Sequence, residues 1–368
     1  MPAQPPPFDP NELAEWLVQG LKETLSYRFK KAIDRERLMD LLKSKVPNRN
    51  QVVHLALRQA FQQGGFSFEE LKQGDALFYM IRKKFRTVPE GQTVRRLLLI
   101  PGFGDSPGSW LFSFGFAKRE LAKRFDEILL VDFPGYSGFL AKHEMVSSMT
   151  MLLSVINTVC EHHPPTVIVG HSLGGWLAGK VSQNLRKPLE HLFLMAPSGL
   201  IPEFERKAFG DFIVKNQDLE VEELLGLIMH EPKRYHEMIK DDLKAFYSRK
   251  QVKEFVESVK SNEFINPSLP FRAKKLTVVW GENDRFVPSQ WIRYWVESYG
   301  EYLDAYLLKE TGHVPQIECP RTTAQVFLHA LLGKESTSGQ GWRKIQSRKK
   351  DFNVSPNLTH DPSSKFLT

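Results

Sequence analysis

The sequence predicts an α/β fold: a mostly parallel central sheet with helices on both faces. Two patterns carry that expectation. Short runs of apolar, often β-branched residues recur along the chain, each bounded by Gly, Pro or Asp, without apolar–polar alternation. A strand buried on one face alternates, whereas one buried on both faces does not, and burial on both faces is the habit of parallel sheets. Helix-prone stretches separate most of the runs, which is the order that parallel strands with crossover helices require.

Taken in order, Asp9, Pro10 and Glu12 open the first element as a cap, a first-turn proline and an acidic partner three residues on. Leu13, Trp16, Leu17, Leu21 and Leu25 then recur at helical spacing and form one apolar stripe. Further helical stretches are expected near 35–42 and 51–63, before Gly64 and Gly65 break the pattern. Residues 1–73 therefore read as an N-terminal helical extension, its stripe packed on the main domain rather than laid on a membrane.

From Ala76 the period changes, and a strand is expected over 77–86. The stretch RRLLLIPGFG (95–104) reads as a short buried strand ending in a glycine-rich loop. Further strands are expected over 127–135, 166–172, 191–197, 276–284 and 306–309, with helices over 116–124 and 151–162. Between 200 and 270 the strand pattern lapses into charged, helix-prone stretches such as FERKAFGDFIV and QVKEFVESVK. That region reads as a helical cap inserted between two parts of one core, 74–199 and 271–333. Gly333 is expected to end the core, leaving 334–368 as a basic tail rich in Ser, Asn and Pro.

The chain has 368 residues, 41% hydrophobic and 25% charged, the composition of a protein with a real core. Two cysteines, Cys160 and Cys319, imply no disulfide framework or metal cluster and fit a reducing, cytoplasmic setting. The first residues lack the basic start and apolar centre of a signal peptide, and no run of about 18 apolar residues occurs. The net charge of +7 leaves room for an anionic partner. The tail from Lys334 onward holds seven basic residues against three acidic ones. It could touch anionic lipid or RNA, but the expectation is a solvated, disordered segment with no specific nucleic-acid partner.

In a parallel sheet, ligands collect beyond the carboxyl ends of the strands. Ser172 stands there, in VIVGHSLGGWLAGK (167–180), with a strand before it and a helix after. Gly-x-Ser-x-Gly at such a junction is a nucleophile elbow, where small neighbours permit a tight turn that exposes the hydroxyl. The turn also aims the amide of Leu173 at a developing oxyanion. A serine needs a base, and the base needs an orienting carboxylate. Of eleven histidines, His313 alone follows the last strand at the serine's end, in LLKETGHVPQIE. His171 adjoins the serine but should point elsewhere on the turn. Asp284, in VVWGENDRFVP, follows a strand between Ser172 and His313, with Glu282 as its near rival. A second oxyanion donor is expected from the loop Pro101–Gly102–Phe103, through the Phe103 amide. These groups call for no cofactor and no metal.

The motifs GHSLGG, GENDRFVP and TGH, in that order, resemble the α/β-hydrolase superfamily over about 75–333, and VDFPGYSGF (131–139) is similar to a loop of that family. FLMAPSGL followed by a helical cap looks most like its monoacylglycerol-lipase and carboxylesterase-like branch. The resemblance implies an α/β-hydrolase fold and a serine hydrolase. It would cleave a carboxylic ester, a lipid or monoacylglycerol ester among the candidates, through an acyl-enzyme on Ser172. One departure stands out: family members often open the oxyanion loop with His-Gly, whereas this chain has Pro101–Gly102. Acyl transfer and carbon–carbon bond hydrolysis use the same triad. A non-catalytic lipid-surface or protein-binding module is the alternative from another class, with the N-terminal stripe and basic tail as its contacts with an anionic membrane. The stretch ELLGLIMHEP (223–232) could line an acyl site or simply pack in the core.

Overall fold

The computed structural model describes residues 49–74, 76–136, 145–231, 240–333 and 341–345. Among the described residues, the elements in chain order begin with helix α1 (Arg49–Gln63), strands β1 (Phe66–Gln73), β2 (Ala76–Lys84) and β3 (Arg96–Ile100), α2 (Ser109–Arg124), β4 (Glu127–Asp132) and α3 (Met149–His162). Next come β5 (Val167–His171), α4 (Leu173–Ser182) and β6 (His191–Met195). Four helices follow: α5 (Glu203–Lys215), α6 (Val221–Ile228), α7 (Lys240–Tyr247) and α8 (Lys250–Ser258). The chain then returns through β7 (Leu276–Gly281), α9 (Ile292–Tyr299), β8 (Leu303–Leu308), α10 (Pro315–Glu318), α11 (Pro320–Leu332) and β9 (Trp342–Ile345).

The nine strands form one sheet in the order β1-β2-β4-β3-β5-β6-β7-β8-β9. Pairing is parallel from β4 through β8, while β1, β2 and β9 join antiparallel at the two edges. The apolar runs are accounted for by burial on both faces. Along β3, Leu98 and Ile100 enter one core layer with Leu152, Ile156 and Leu177, whereas Leu97 and Leu99 enter the other with Leu121 and Phe327. Polar side chains find no solvent on either face, so the central strands cannot alternate.

Two edges of the sheet differ from expectation. The helical extension was expected to run to residue 73, but 66–73 are β1, paired with β2 from Phe66 opposite Lys83 to Gln73 opposite Ala76. Phe66 and Phe68 turn to the same core layer and Leu71 to the other, a period of two that the charged residues between them mask. Gly65 (φ 73°) and Gly74 (φ 58°) supply the left-handed turns at the two ends of β1. At the other edge the tail was expected to be solvated from Lys334, yet Trp342–Ile345 extend the sheet as β9. Trp342 lies 5.3 Å from the Tyr306 ring and 5.0 Å from His329. Two of the tail's basic residues are also committed, Arg343 to Glu282 and Lys344 to Asp304. The last parallel strand starts at Leu303 rather than 306, and α2 starts at Ser109 rather than 116. The stripe from Leu13 to Leu25, the helix expected near 35–42 and the rest of the basic tail lie outside the described residues. Among the described residues, no helix is long and apolar enough to cross a membrane.

Candidate active site

Ser172 occupies the single-residue turn between β5 and α4, with φ 53° and ψ −118°. A non-glycine residue at positive φ costs of the order of 1–3 kcal/mol and persists only where its surroundings hold it. Here the Ser172 amide donates to Met195 O at 2.8 Å, and Trp176 N donates to Ser172 O at 3.0 Å. The flanking glycines are dictated by space. A Cβ on Gly170 would stand 2.3 Å from Gly174 O, and one on Gly174 would stand 2.3 Å from Ile100 O and 2.4 Å from Pro101 O. The start of α4 therefore presses directly against the end of β3 and the loop that leaves it.

The loop after β8 brings His313 to Ser172, with Nε2 at 2.9 Å from Oγ. Its Nδ1 stands 2.8 Å from Asp284 Oδ2, in the loop after β7. An ionised carboxylate only accepts, so Nδ1 carries the proton and the Nε2 lone pair faces the serine hydroxyl. The other carboxylate oxygen of Asp284 accepts from the amides of Phe286 (3.0 Å) and Val287 (2.9 Å), which fixes its plane. Glu282, the rival acid, faces away and accepts from Arg343 of β9 at 3.1 and 3.2 Å. Ser172, Asp284 and His313 are each buried.

Two supports of His313 escaped the sequence reading. His171 does point away from the serine's hydroxyl, but its Nε2–H donates to the His313 carbonyl at 2.7 Å. Its Nδ1 accepts from Gln316 Nε2 at 3.1 Å. Glu318, on α10, accepts from the amides on both sides of His313: Gly312 N at 3.0 and 3.1 Å and Val314 N at 3.3 Å. The same carboxylate accepts from His230 N at 2.8 Å, and His313 N donates to Ile228 O at 2.6 Å, so the end of α6 is joined to the histidine loop. Burial pushes the Glu318 carboxyl above its ordinary range; the charge of Asp284 adds to this, while the amide bonds oppose it.

Phe103 and Leu173, the expected oxyanion donors, both line the cavity into which Ser172 opens. Leu173 is the first residue of α4, so its N–H is one of those a helix start leaves without an internal acceptor. The Phe103 ring is wedged among Tyr136, Phe246 and Phe255 at 5.5, 4.8 and 5.0 Å, which steadies the Pro101–Gly102–Phe103 loop. The cavity measures about 310 Å³, and its apolar walls include Trp176, Phe209, Ile213, Phe255, Val256 and Phe264. Most of these come from α5, α8 and the segment after α8. The 223–232 stretch takes the other role left open for it: Leu224, Leu225, Ile228 and Met229 are buried in the core cluster and do not line the cavity. Among the described residues, no group of His, Cys, Asp and Glu converges in a way that would hold a metal ion.

Comparison with known proteins agrees with this architecture. Monoacylglycerol lipase ABHD6 of Bos taurus is 23% identical over 264 residues, spanning 66% of this chain and 76% of that protein. A bacterial membrane phospholipase A superposes with a TM-score of 0.59 at 18% identity, covering 81% of this chain and 96% of that one. An esterase from Thermogutta terrifontis superposes with a TM-score of 0.52 at 16% identity, covering 73% and 98%. Residues 97–326 match the alpha/beta hydrolase family as a whole. The chain is thus an enzyme of the alpha/beta hydrolase family.

Proposed function

We propose that the protein hydrolyses carboxylic esters of apolar acyl groups through an acyl-enzyme on Ser172. The observation that carries this reading is the unbroken chain from Asp284 Oδ2 through His313 to Ser172 Oγ, with links of 2.8 and 2.9 Å, opening into an apolar cavity. As Ser172 Oγ attacks the acyl carbon, its proton passes to His313 Nε2. Asp284, bonded to Nδ1–H, stabilises the imidazolium so formed. The amides of Phe103 and Leu173 are the donors for the tetrahedral oxyanion, a contribution of about 3 kcal/mol each where such donors are preorganised. His313 then gives its proton to the leaving alcohol. Water, deprotonated by the same nitrogen, attacks the acyl-enzyme and releases the carboxylic acid and free Ser172.

The relatives favour a lipid ester, since they include a monoacylglycerol lipase and a phospholipase A. The cavity agrees in chemistry: apolar walls around about 310 Å³ suit an acyl chain, and its burial supplies roughly 0.8 kcal/mol per methylene. The test is a series of p-nitrophenyl and glycerol esters of graded chain length, with intact-mass detection of the acyl-enzyme. The reading predicts a transient acyl adduct on Ser172 and kcat/KM rising with chain length until the chamber is full. Turnover without any adduct, or a preference for acetyl over every longer chain, would contradict it. Transfer of the acyl group to an added alcohol faster than to water would move the assignment to an acyltransferase.

A further inference from the structure

One cationic side chain in the cavity wall is unexplained by ester hydrolysis alone. Arg206, on α5, lies half-buried among the residues that line the chamber. Its guanidinium carbon stands 4.1 Å from the centre of the Phe264 ring, and its Nε–H donates to Ile201 O at 3.2 Å. These two contacts hold the side chain in one pose and use only one of its five N–H donors. Among the described residues no carboxylate forms an ion pair with it. Three acids of this region are engaged elsewhere: Glu205 accepts from Tyr294 Oη at 2.5 Å, Asp211 pairs with Lys207 at 2.8 Å, and Glu263 accepts from Thr150 and Lys260; Glu203, on the same helix, is exposed. Lys207 and Asp211, which also line the cavity, are exposed, whereas Ser172 is buried. The chamber therefore runs from a buried nucleophile to a rim whose charged residues leave a surplus of one positive charge.

A fixed, planar guanidinium with free donors matches the geometry of a carboxylate or phosphate. Resting on the reading of the site as an ester hydrolase, we infer that Arg206 makes it selective for acyl esters carrying an anionic group, held at the cavity rim while the ester lies at Ser172. The anion has two chemical sources. It can be a phosphate on the alcohol portion, as in a monoacyl glycerophosphate, or a carboxylate at the far end of the acyl portion, as in a dicarboxylic half ester. Both meet the same fork of N–H donors.

The test compares kcat/KM for 1-dodecanoylglycerol against 1-dodecanoylglycerol 3-phosphate, and for methyl dodecanoate against monomethyl dodecanedioate. Each is measured below its micelle concentration, with wild type, Arg206→Gln and Arg206→Lys. In one pair the anionic ester is expected to lead its neutral partner by about tenfold or more in wild type. That ratio should fall to near one in Arg206→Gln, chiefly through KM, and be partly retained in Arg206→Lys. The pair that shows the preference names the source of the anion. Turnover of both pairs with wild-type ratios near one, or ratios unaltered in Arg206→Gln, would overturn the inference. Calorimetric binding of dodecyl phosphate and dodecanedioate against dodecanol separates this inference from the hydrolase reading. Tighter binding of either anion to wild type than to Arg206→Gln supports the anion site even if no ester turns over, and equal binding of both anions and the alcohol argues against it.

Discussion

Replacing Glu318 by Gln removes a charge that touches no substrate, yet the geometry predicts a loss of activity. The carboxylate accepts from three amides, two of which flank His313. A glutamine keeps one acceptor oxygen and turns an NH2 group toward the remaining N–H, so at least one buried amide loses its partner. A group so orphaned costs about 1–3 kcal/mol. Expressed at the chemical step, that is roughly 5- to 150-fold in rate. Stability should respond less. Burial holds the carboxyl above its ordinary value of 4.5, so its contribution to stability is complete below that value and declines as pH rises through the raised one. The ionised form is the costly one to bury, and glutamine escapes that cost. Steady-state kinetics and thermal melts of Glu318→Gln should therefore show kcat reduced by about 5- to 150-fold, KM little changed and a small shift in Tm. Wild-type kcat would refute the positioning role. A large drop in Tm with unchanged kcat would reduce Glu318 to a structural contact.

Three further outcomes follow from the same geometry. In Asp284→Asn the side-chain amide, held by Phe286 and Val287 through its oxygen, must present N–H to His313 Nδ1; the imidazole then takes the wrong tautomer, and kcat should fall by about 10³–10⁴-fold with the fold intact by circular dichroism. Gly174→Ala places a methyl 2.3 Å from Ile100 O, a backbone atom that cannot swing aside; a stability loss of about 1–3 kcal/mol or more, read by urea unfolding, should accompany a slower rate. His191, buried against Thr277 Oγ1 at 2.8 Å, has its pKa lowered by burial from 6.5 to about 3. Its contribution to stability is present above pH 6.5 and is lost as pH falls toward 3, about 2 kcal/mol of it between pH 7 and 5. Urea unfolding at those two pH values should show the difference in wild type and a flatter response in His191→Gln.

The placement of Ser172, Asp284 and His313 in one candidate site was legible because each is a polar residue just past an apolar run, where the topology of a parallel sheet gathers side chains. Ser172 between Gly170 and Gly174 carried a local steric meaning that the turn requires. The choice of Asp284 over Glu282 depended on a partner far along the chain, since Arg343 of β9 draws Glu282 away. β9 itself was hidden because WRKI lacks an apolar run, and its burial comes from Trp342 meeting Tyr306 and His329 across the sheet edge. β1 was hidden for a related reason: its alternating residues serve two different core layers, with charged side chains between them. The clamp on His313 was beyond local reading, because a glutamate five residues on looks like any solvated helix residue until three amides converge on it. Hydrophobicity alone left 223–232 open between cavity wall and core, and packing decides for the core; the cavity walls come instead from α5 and α8, whose apolar sides are disguised by their charged residues.

Ester hydrolysis at this site requires Ser172 to be activated by His313, and labelling by a fluorophosphonate tests that step directly. The folded wild-type protein should be labelled at one site, identified as Ser172 by peptide mass, with no labelling in Ser172→Ala and a rate reduced by about a thousandfold or more in His313→Ala. Folded wild type that stays unlabelled, or labelling that persists in Ser172→Ala, would contradict it.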